Sequence, residues 1–163
     1  MAKKKEQTGG GGVRIANRKA RHDYHITEVV ECGMELTGTE VKSLRAGQAK
    51  IDDAFARIRE GQVYLIGSNI AMYPQAVAEL QHDPTRERRL LLHRRQIALL
   101  LTHVKQKGKT VVPLAVYFHR GWAKCELGLA EGKKQYDKRQ DLKAREAKRD
   151  ISREMNRRRR GKD

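Results

Sequence analysis

Residues 24–36 read "YHITEVVECGMEL", and their side chains divide by parity. Tyr24, Ile26, Val30, Cys32, Met34 and Leu36 fall on one side, and His25, Thr27, Glu31 and Glu35 on the other. A period of two over that length predicts a long strand with one buried face. Such a strand needs partners for its backbone and cover for its apolar side. Glu28 stands on the apolar side and Val29 on the polar side, so a bend or bulge is expected there.

The segments that follow supply the partners. In "TGTEVKSLRAG", Thr37 and Glu40 have capping-box spacing, Val41 and Leu44 share a helical face, and Gly47 fits a stop, which predicts one short helix. Residues 54–59 and 62–67 read as two strands turned at Glu60-Gly61. Residues 72–86 hold two of the three prolines and read as a loop, and "RRLLL" after it fits either a strand or a helix start. Ile97, Leu100, Leu101 and Val104 have the spacing of an amphipathic helix that ends before Gly108. "TVVPLAVYF" and "WAKCELGLA" read as strands joined by "HRG", with Pro113 expected at an edge or bulge. The sum is a mainly β chain, folded as a small, partly open antiparallel barrel with embedded short helices.

Charge sets the partner class. The chain has 163 residues and a formal net charge of +16, which favours a polyanion, nucleic acid before membrane. Its apolar runs, such as residues 97–101, fall far short of the roughly 18 residues that span a bilayer. The start "MAKKKEQTGGGG" lacks an apolar signal core, so a cytoplasmic protein without a membrane partner is expected. Cys32 and Cys125 have no CxxC partner and read as reduced, buried thiols. The six histidines read as surface or capping residues, His22 and His25 on opposite faces of a strand, and Asp52-Asp53 has no converging acid partner. No enzyme, metal or cofactor is expected. Basic runs carry the signal instead: Arg14, Arg18, Lys19 and Arg21 before the long strand, and Arg86, Arg88, Arg89, Arg94 and Arg95 in "RERRLLLHRRQ". Aromatics at 5% are too few for a single-strand stacking groove, so shape and backbone recognition of folded RNA is expected.

Residues 133–163 hold 14 Lys and Arg against 6 Asp and Glu, a net +8, half of the whole chain's charge. Ala144, Ala147, Ile151 and Met155 draw a thin helical stripe, and acid-base pairs three and four apart support it by about 0.2–0.5 kcal/mol each. A helix conditional on a polyanion is expected, disordered without one. The organisation expected is therefore a disordered extension over residues 1–13, a barrel over 14–131, and a basic tail over 132–163.

Four blocks, "NRKARHDY", "LTGTEVKSLRAGQA", "HDPTRERRLLLHRRQI" and "GKKQYDKR", closely resemble the small protein B family, partners of bacterial transfer-messenger RNA. The resemblance runs from Asn17 to about Arg145. It implies an oligonucleotide-binding (OB-like) barrel that binds the tRNA-like domain of that RNA and brings it to stalled ribosomes for trans-translation. Alanyl-tRNA synthetase and elongation factor Tu would then be indirect partners through the RNA, and the protein a monomer. By matching motif it implies Asn17, Glu31, Leu91 and Lys124 as RNA-facing, with Arg18, Lys19 and Arg21 added from charge. In the tail it implies Gly132, Lys133, Lys134, Tyr136, Asp137, Lys138 and Arg139 at the decoding centre and messenger channel, Tyr136 stacking on a ribosomal base. The alternative is a general RNA-binding or ribosome-associated OB-fold protein.

Overall fold

The computed structural model describes residues 12–134, 137, 147, 150–153 and 155. Tyr136, Lys138, Arg139 and the extension over residues 1–11 lie outside them. The chain separates into two units, Met1–Glu131 and Gly132–Asp163.

In the first unit, seven strands form one sheet in the order β1-β8-β9-β2-β7-β5-β4. They are β1 (Ile15–Ala16), β2 (Tyr24–Met34), β4 (Phe55–Arg59), β5 (Gln62–Ile66), β7 (Arg88–Leu91), β8 (Lys109–His119) and β9 (Trp122–Gly132). The short β3 (Ala49–Lys50) and β6 (Asn69–Ile70) pair separately. The sheet curls until β4 packs against β8, which closes most of a barrel around Cys32, Leu65, Leu90, Val116, Cys125 and Leu127. "RRLLL" is resolved as strand, because its parity puts Arg88 and Leu90 inward and Arg89 and Leu91 outward.

Two hairpins turn on pairs of residues with positive φ: Glu60 (50°) with Gly61 (71°), and Arg120 (49°) with Gly121 (84°). That backbone matches the twist of the strands it joins. Pro113 sits at a bulge: the β8–β9 register shifts between Pro113 and Ala115, where the missing N–H breaks the ladder. The alternation in β2 breaks for a reason of the same kind. Tyr24 and Ile26 pack with Ala20, Val112, Leu114 and Ala130 outside the barrel, whereas Val30, Cys32 and Met34 pack inside it. The changeover falls at Glu28 and Val29, both exposed.

Among the described residues of this unit, three α-helices embed in the strands, and a 3-10 turn spans Ala78–Leu80. α2 (Gly38–Arg45) and α3 (Arg94–Val104) match their predicted positions. α1 (Arg18–Asp23) was not legible as a helix. It places His22 on a helix, so the strand argument that separated His22 from His25 is replaced by a helix-to-strand change. Two histidines expected at the surface are buried. His82 donates from Nε2 to Ile70 O (3.0 Å) and accepts at Nδ1 from the Thr39 hydroxyl (2.8 Å), and His103 Nε2 lies 3.3 Å from Ala130 O. The two cysteines are free and buried, with Cys32 Sγ 3.3 Å from Cys125 O across β2 and β9.

In the second unit, the described residues Asp137, Ala147, Asp150, Ile151, Ser152, Arg153 and Met155 are helical and exposed. Asp137 Oδ2 accepts from the Lys134 N–H (3.3 Å), and Asp150 and Arg153 pair at 3.7 Å one helical turn apart. Ile151 and Met155 leave the apolar stripe 60% and 58% exposed.

Candidate nucleic-acid interface

The outer face of the sheet gathers Glu31, Leu91 and Lys124 of the predicted residues. Side chains alternate along β9, so Trp122, Lys124, Glu126, Gly128 and Ala130 share one face while Cys125, Leu127 and Leu129 fill the core. α1 lies over the far end of that face, with Ala20 packed on Val112, Leu114 and Ala130. Gly128 lets the side chains under α1 pack onto the strand: a Cβ there would meet Ile26 Cγ2 and both Leu114 methyls at 3.1 Å. From Ala130 to Lys124 is six residues, or about 20 Å of strand at 3.3–3.4 Å per residue. Ala130, beneath α1, and Lys124 therefore lie on one side of the barrel, about 20 Å apart along β9.

At the α1 end, Asn17 does not face outward. It is 4% exposed; its Oδ1 accepts from the Ala20 N–H (2.8 Å) and its Nδ2 donates to Ile51 O (2.9 Å). The amide caps α1 and ties it to the loop before β4, so Asn17 sets where Arg18, Lys19 and Arg21 stand. Those three are exposed, and Lys19 reaches Asp53 at 2.7 Å. That contact explains one aspartate of the pair that had no evident role in the sequence.

In the middle of the face, Glu31 on β2, Lys124 on β9 and Tyr117 on β8 form a cross-strand row. Tyr117 and Lys124 are directly paired in register. The Tyr117 hydroxyl donates to Glu31 Oε2 (2.5 Å), and Lys124 Nζ lies 3.3 Å from Glu31 Oε1. The Tyr117 hydroxyl, and after it the Lys124 ammonium, hold the Glu31 carboxyl below the usual range; burial and then Glu31 itself push the Tyr117 phenol up. Arg14 continues the row, stacked over the Tyr117 ring at 5.1 Å and bonded to both Glu126 oxygens (3.1 and 2.8 Å). An acid in a cationic face is thus accounted for: Glu31 fixes the directions of Lys124 and Tyr117 while its own charge is balanced. Tyr117 and Arg14 were missed as parts of this row, because their contacts run between strands distant in sequence.

At the other end, Leu91 is 49% exposed on β7 and pairs with Gly33 of β2. Leu91, Gly33 and Lys124 line one open groove of about 1000 Å³, with Arg94, His93 and Trp122 at its sides. Arg89 lies outward and pairs with Glu35 at 2.8 Å.

Arg88 departs from the expected phosphate role. It is fully buried, bonded through Nε to Glu40 (2.9 Å), through Nη1 to Ser68 O and Oγ (3.0 and 2.9 Å), and through Nη2 to Pro84 O (2.9 Å). Arg86 completes the fork on Glu40 with contacts of 2.8 and 2.6 Å, and the other side of Glu40 accepts from the Thr37 N–H that begins α2. This fully buried acid with two arginines locks α2 to β7 and to the loop before it. The signal was present in the sequence: Arg88 shares parity with Leu90, inside the barrel.

A barrel whose outer face carries the α1 cations, an ordered Lys124 and a groove between strands is a nucleic-acid-binding module. A family model described as SmpB protein matches residues 14–157. An SsrA-binding protein of Salinispora arenicola (strain CNS-205) is 53% identical over 154 residues, covering 94% of this chain and 96% of that protein. An SsrA-binding protein of Thermobifida fusca (strain YX) is 50% identical over 161 residues, covering 98% and 100%. A solved structure described as "tmRNA-SmpB: a journey to the center of the bacterial ribosome" matches with a TM-score of 0.63 and 50% identity, covering 75% of this chain and 85% of that one. The chain belongs to the SmpB protein family.

Proposed function

We propose that this protein binds the tRNA-like domain of transfer-messenger RNA and delivers it to stalled ribosomes for trans-translation. The observation that carries the reading is the single outer face, on which α1, the Glu31–Lys124–Tyr117 row and Leu91 stand along one side of the barrel. A face that runs about 20 Å from beneath α1 to Lys124 spans several phosphates and suits a folded RNA better than one nucleotide. Arg18, Lys19, Arg21 and Lys124 contact phosphate, Leu91 makes apolar contact, and Asn17 and Glu31 act by holding basic neighbours in place. The protein acts without catalysing a reaction, in the cytoplasm, as a monomer. Its links to alanyl-tRNA synthetase and elongation factor Tu run through the RNA.

The tail serves the ribosome. Gly132, Lys133 and Lys134 leave the barrel, Tyr136, Asp137, Lys138 and Arg139 enter the decoding centre, and the rest turns helical in the messenger channel. The net +8 and the helix-compatible pairs favour folding against RNA walls. Ending the chain at Glu131 tests the division of labour: binding to transfer-messenger RNA persists and tagging on stalled ribosomes is lost. Tagging by the shortened chain would remove the tail from the mechanism.

A further inference from the structure

The chain's one tryptophan is Trp122, and it is 74% exposed, the most exposed large apolar side chain among the described residues. Burying an indole is worth more than burying almost any other side chain, so one held in water at a strand start invites a partner. Its position is fixed. It opens β9 directly after the tight Arg120–Gly121 turn, pairs with His119, and shares the outer face with Lys124. Trp122 lines the same groove as Leu91 and Lys124, and the floor of that groove includes Gly33. Gly33 contributes no side chain, and a Cβ there would meet Leu91 Cβ at 3.3 Å. Leu91 thus lies over the Gly33 backbone, and the open gap of the groove is lined by that aliphatic side chain, an aromatic ring and an ammonium.

Resting on the RNA-binding reading above, we propose that this gap is a slot for one unstacked nucleobase, with the Trp122 indole stacking on its face, Leu91 against its other side and Lys124 on the adjoining phosphate. The occupant is a nucleotide rather than an apolar peptide because of the charge around the slot. Lys124 and Arg94 line the groove beside the apolar Leu91, Leu92 and Ile97, and the one acid in the lining, Glu35, is already paired with Arg89, which fits a flat ring carrying a negative backbone. Only a base outside a continuous duplex reaches such a slot, so Trp122 also selects loops and bulges over plain helix.

Because Trp122 is the only tryptophan, the emission of the full-length protein reports the slot directly. Titration with the transcribed tRNA-like domain is expected to quench it, and a perfect duplex of equal length is expected to bind more weakly with little quenching. Trp122→Ala is expected to lower affinity for the tRNA-like domain about 10- to 100-fold, with Trp122→Phe restoring most of it, and the exposed position leaves folding intact. Saturable binding that leaves the emission unchanged, or an unchanged affinity in Trp122→Ala, overturns the slot while leaving the RNA-binding reading in place. Absence of any binding by the unaltered protein overturns that reading first. Quenching by the duplex equal to that by the tRNA-like domain, or by an apolar peptide in place of RNA, also overturns the slot.

Discussion

Replacing Glu40 by Gln probes the joint that holds α2, β7 and the loop before β7 together. The change keeps shape and volume but removes the charge that two arginines share. Arg86 is 32% exposed and can turn to water, whereas Arg88 is completely buried and cannot. Its contacts to Ser68, Arg86 and Pro84 oxygens survive, but these are dipoles, not a counter-charge. Breaking a buried pair while leaving one charge in place costs about 3–5 kcal/mol, and the retained amide oxygen puts Glu40→Gln near the lower end. At about 2–4 °C per kcal/mol for a chain of this size, the expected fall in Tm is about 6–12 °C. Circular dichroism melts at pH 7, with urea unfolding alongside, measure it. Pairing Glu40→Leu with Arg88→Met removes both buried charges and is expected to recover most of the loss. The pH dependence supplies a second reading. Burial pushes the Glu40 carboxyl up, but Arg86, the Thr37 N–H and Arg88 outweigh it and hold it below the ordinary range. A depressed carboxyl contributes stability that is present above its unfolded value of about 4.3 and is lost as pH falls through the folded value. The unaltered protein is therefore expected to weaken on acidification below that point, and Glu40→Gln to show a flatter profile. A Tm within 2 °C of the parent at pH 7 would refute the claim that this ion triad joins the elements.

Three further outcomes follow from the same geometry. Tyr117→Phe removes the first of the groups that depress Glu31, so the carboxyl pKa read by NMR is expected to rise, and RNA affinity to fall several-fold as Lys124 loses its orientation; an unmoved Glu31 resonance would break the row. Asn17→Ala is expected to cost about 0.5–2 kcal/mol of stability through the lost α1 cap and to weaken RNA binding with little change in the salt slope, because Arg18, Lys19 and Arg21 remain. A steep loss of slope would instead make Asn17 part of the phosphate contacts. Gly128→Ala crowds Ile26 and Leu114 and is expected to destabilise by about 1–3 kcal/mol in urea melts, while a neutral result would show that these side chains do not pack against β9 as closely as described.

The strands were legible in the sequence because each carries its own parity or turn signal: "REGQ" and "HRGW" mark the hairpins, and Pro113 marked its bulge. The capping box at Thr37 and Glu40 was also readable. What it meant was not, because the arginines that bury Glu40 lie 46 and 48 residues further on. α1 was hidden for a different reason. Six residues with five charged or titratable side chains have no apolar stripe, and the helix is held by the Asn17 cap and by Ala20 against β8 rather than by its own propensity. At the interface, Lys124, Glu31 and Leu91 came from a matched motif, while Tyr117, Arg14 and Trp122 became visible only once β2, β7, β8 and β9 stood side by side. Aromatic content alone pointed away from stacking; where the one tryptophan stands decides the matter more than how few aromatics there are.

The most direct test of the central claim is the affinity of the full chain for the transcribed tRNA-like domain against a perfect duplex of equal length, at physiological salt, with Lys124→Glu measured beside it. The account predicts a strong preference for the tRNA-like domain that Lys124→Glu largely abolishes. Equal affinities for the two RNAs in the unaltered protein, set by salt alone, would contradict it.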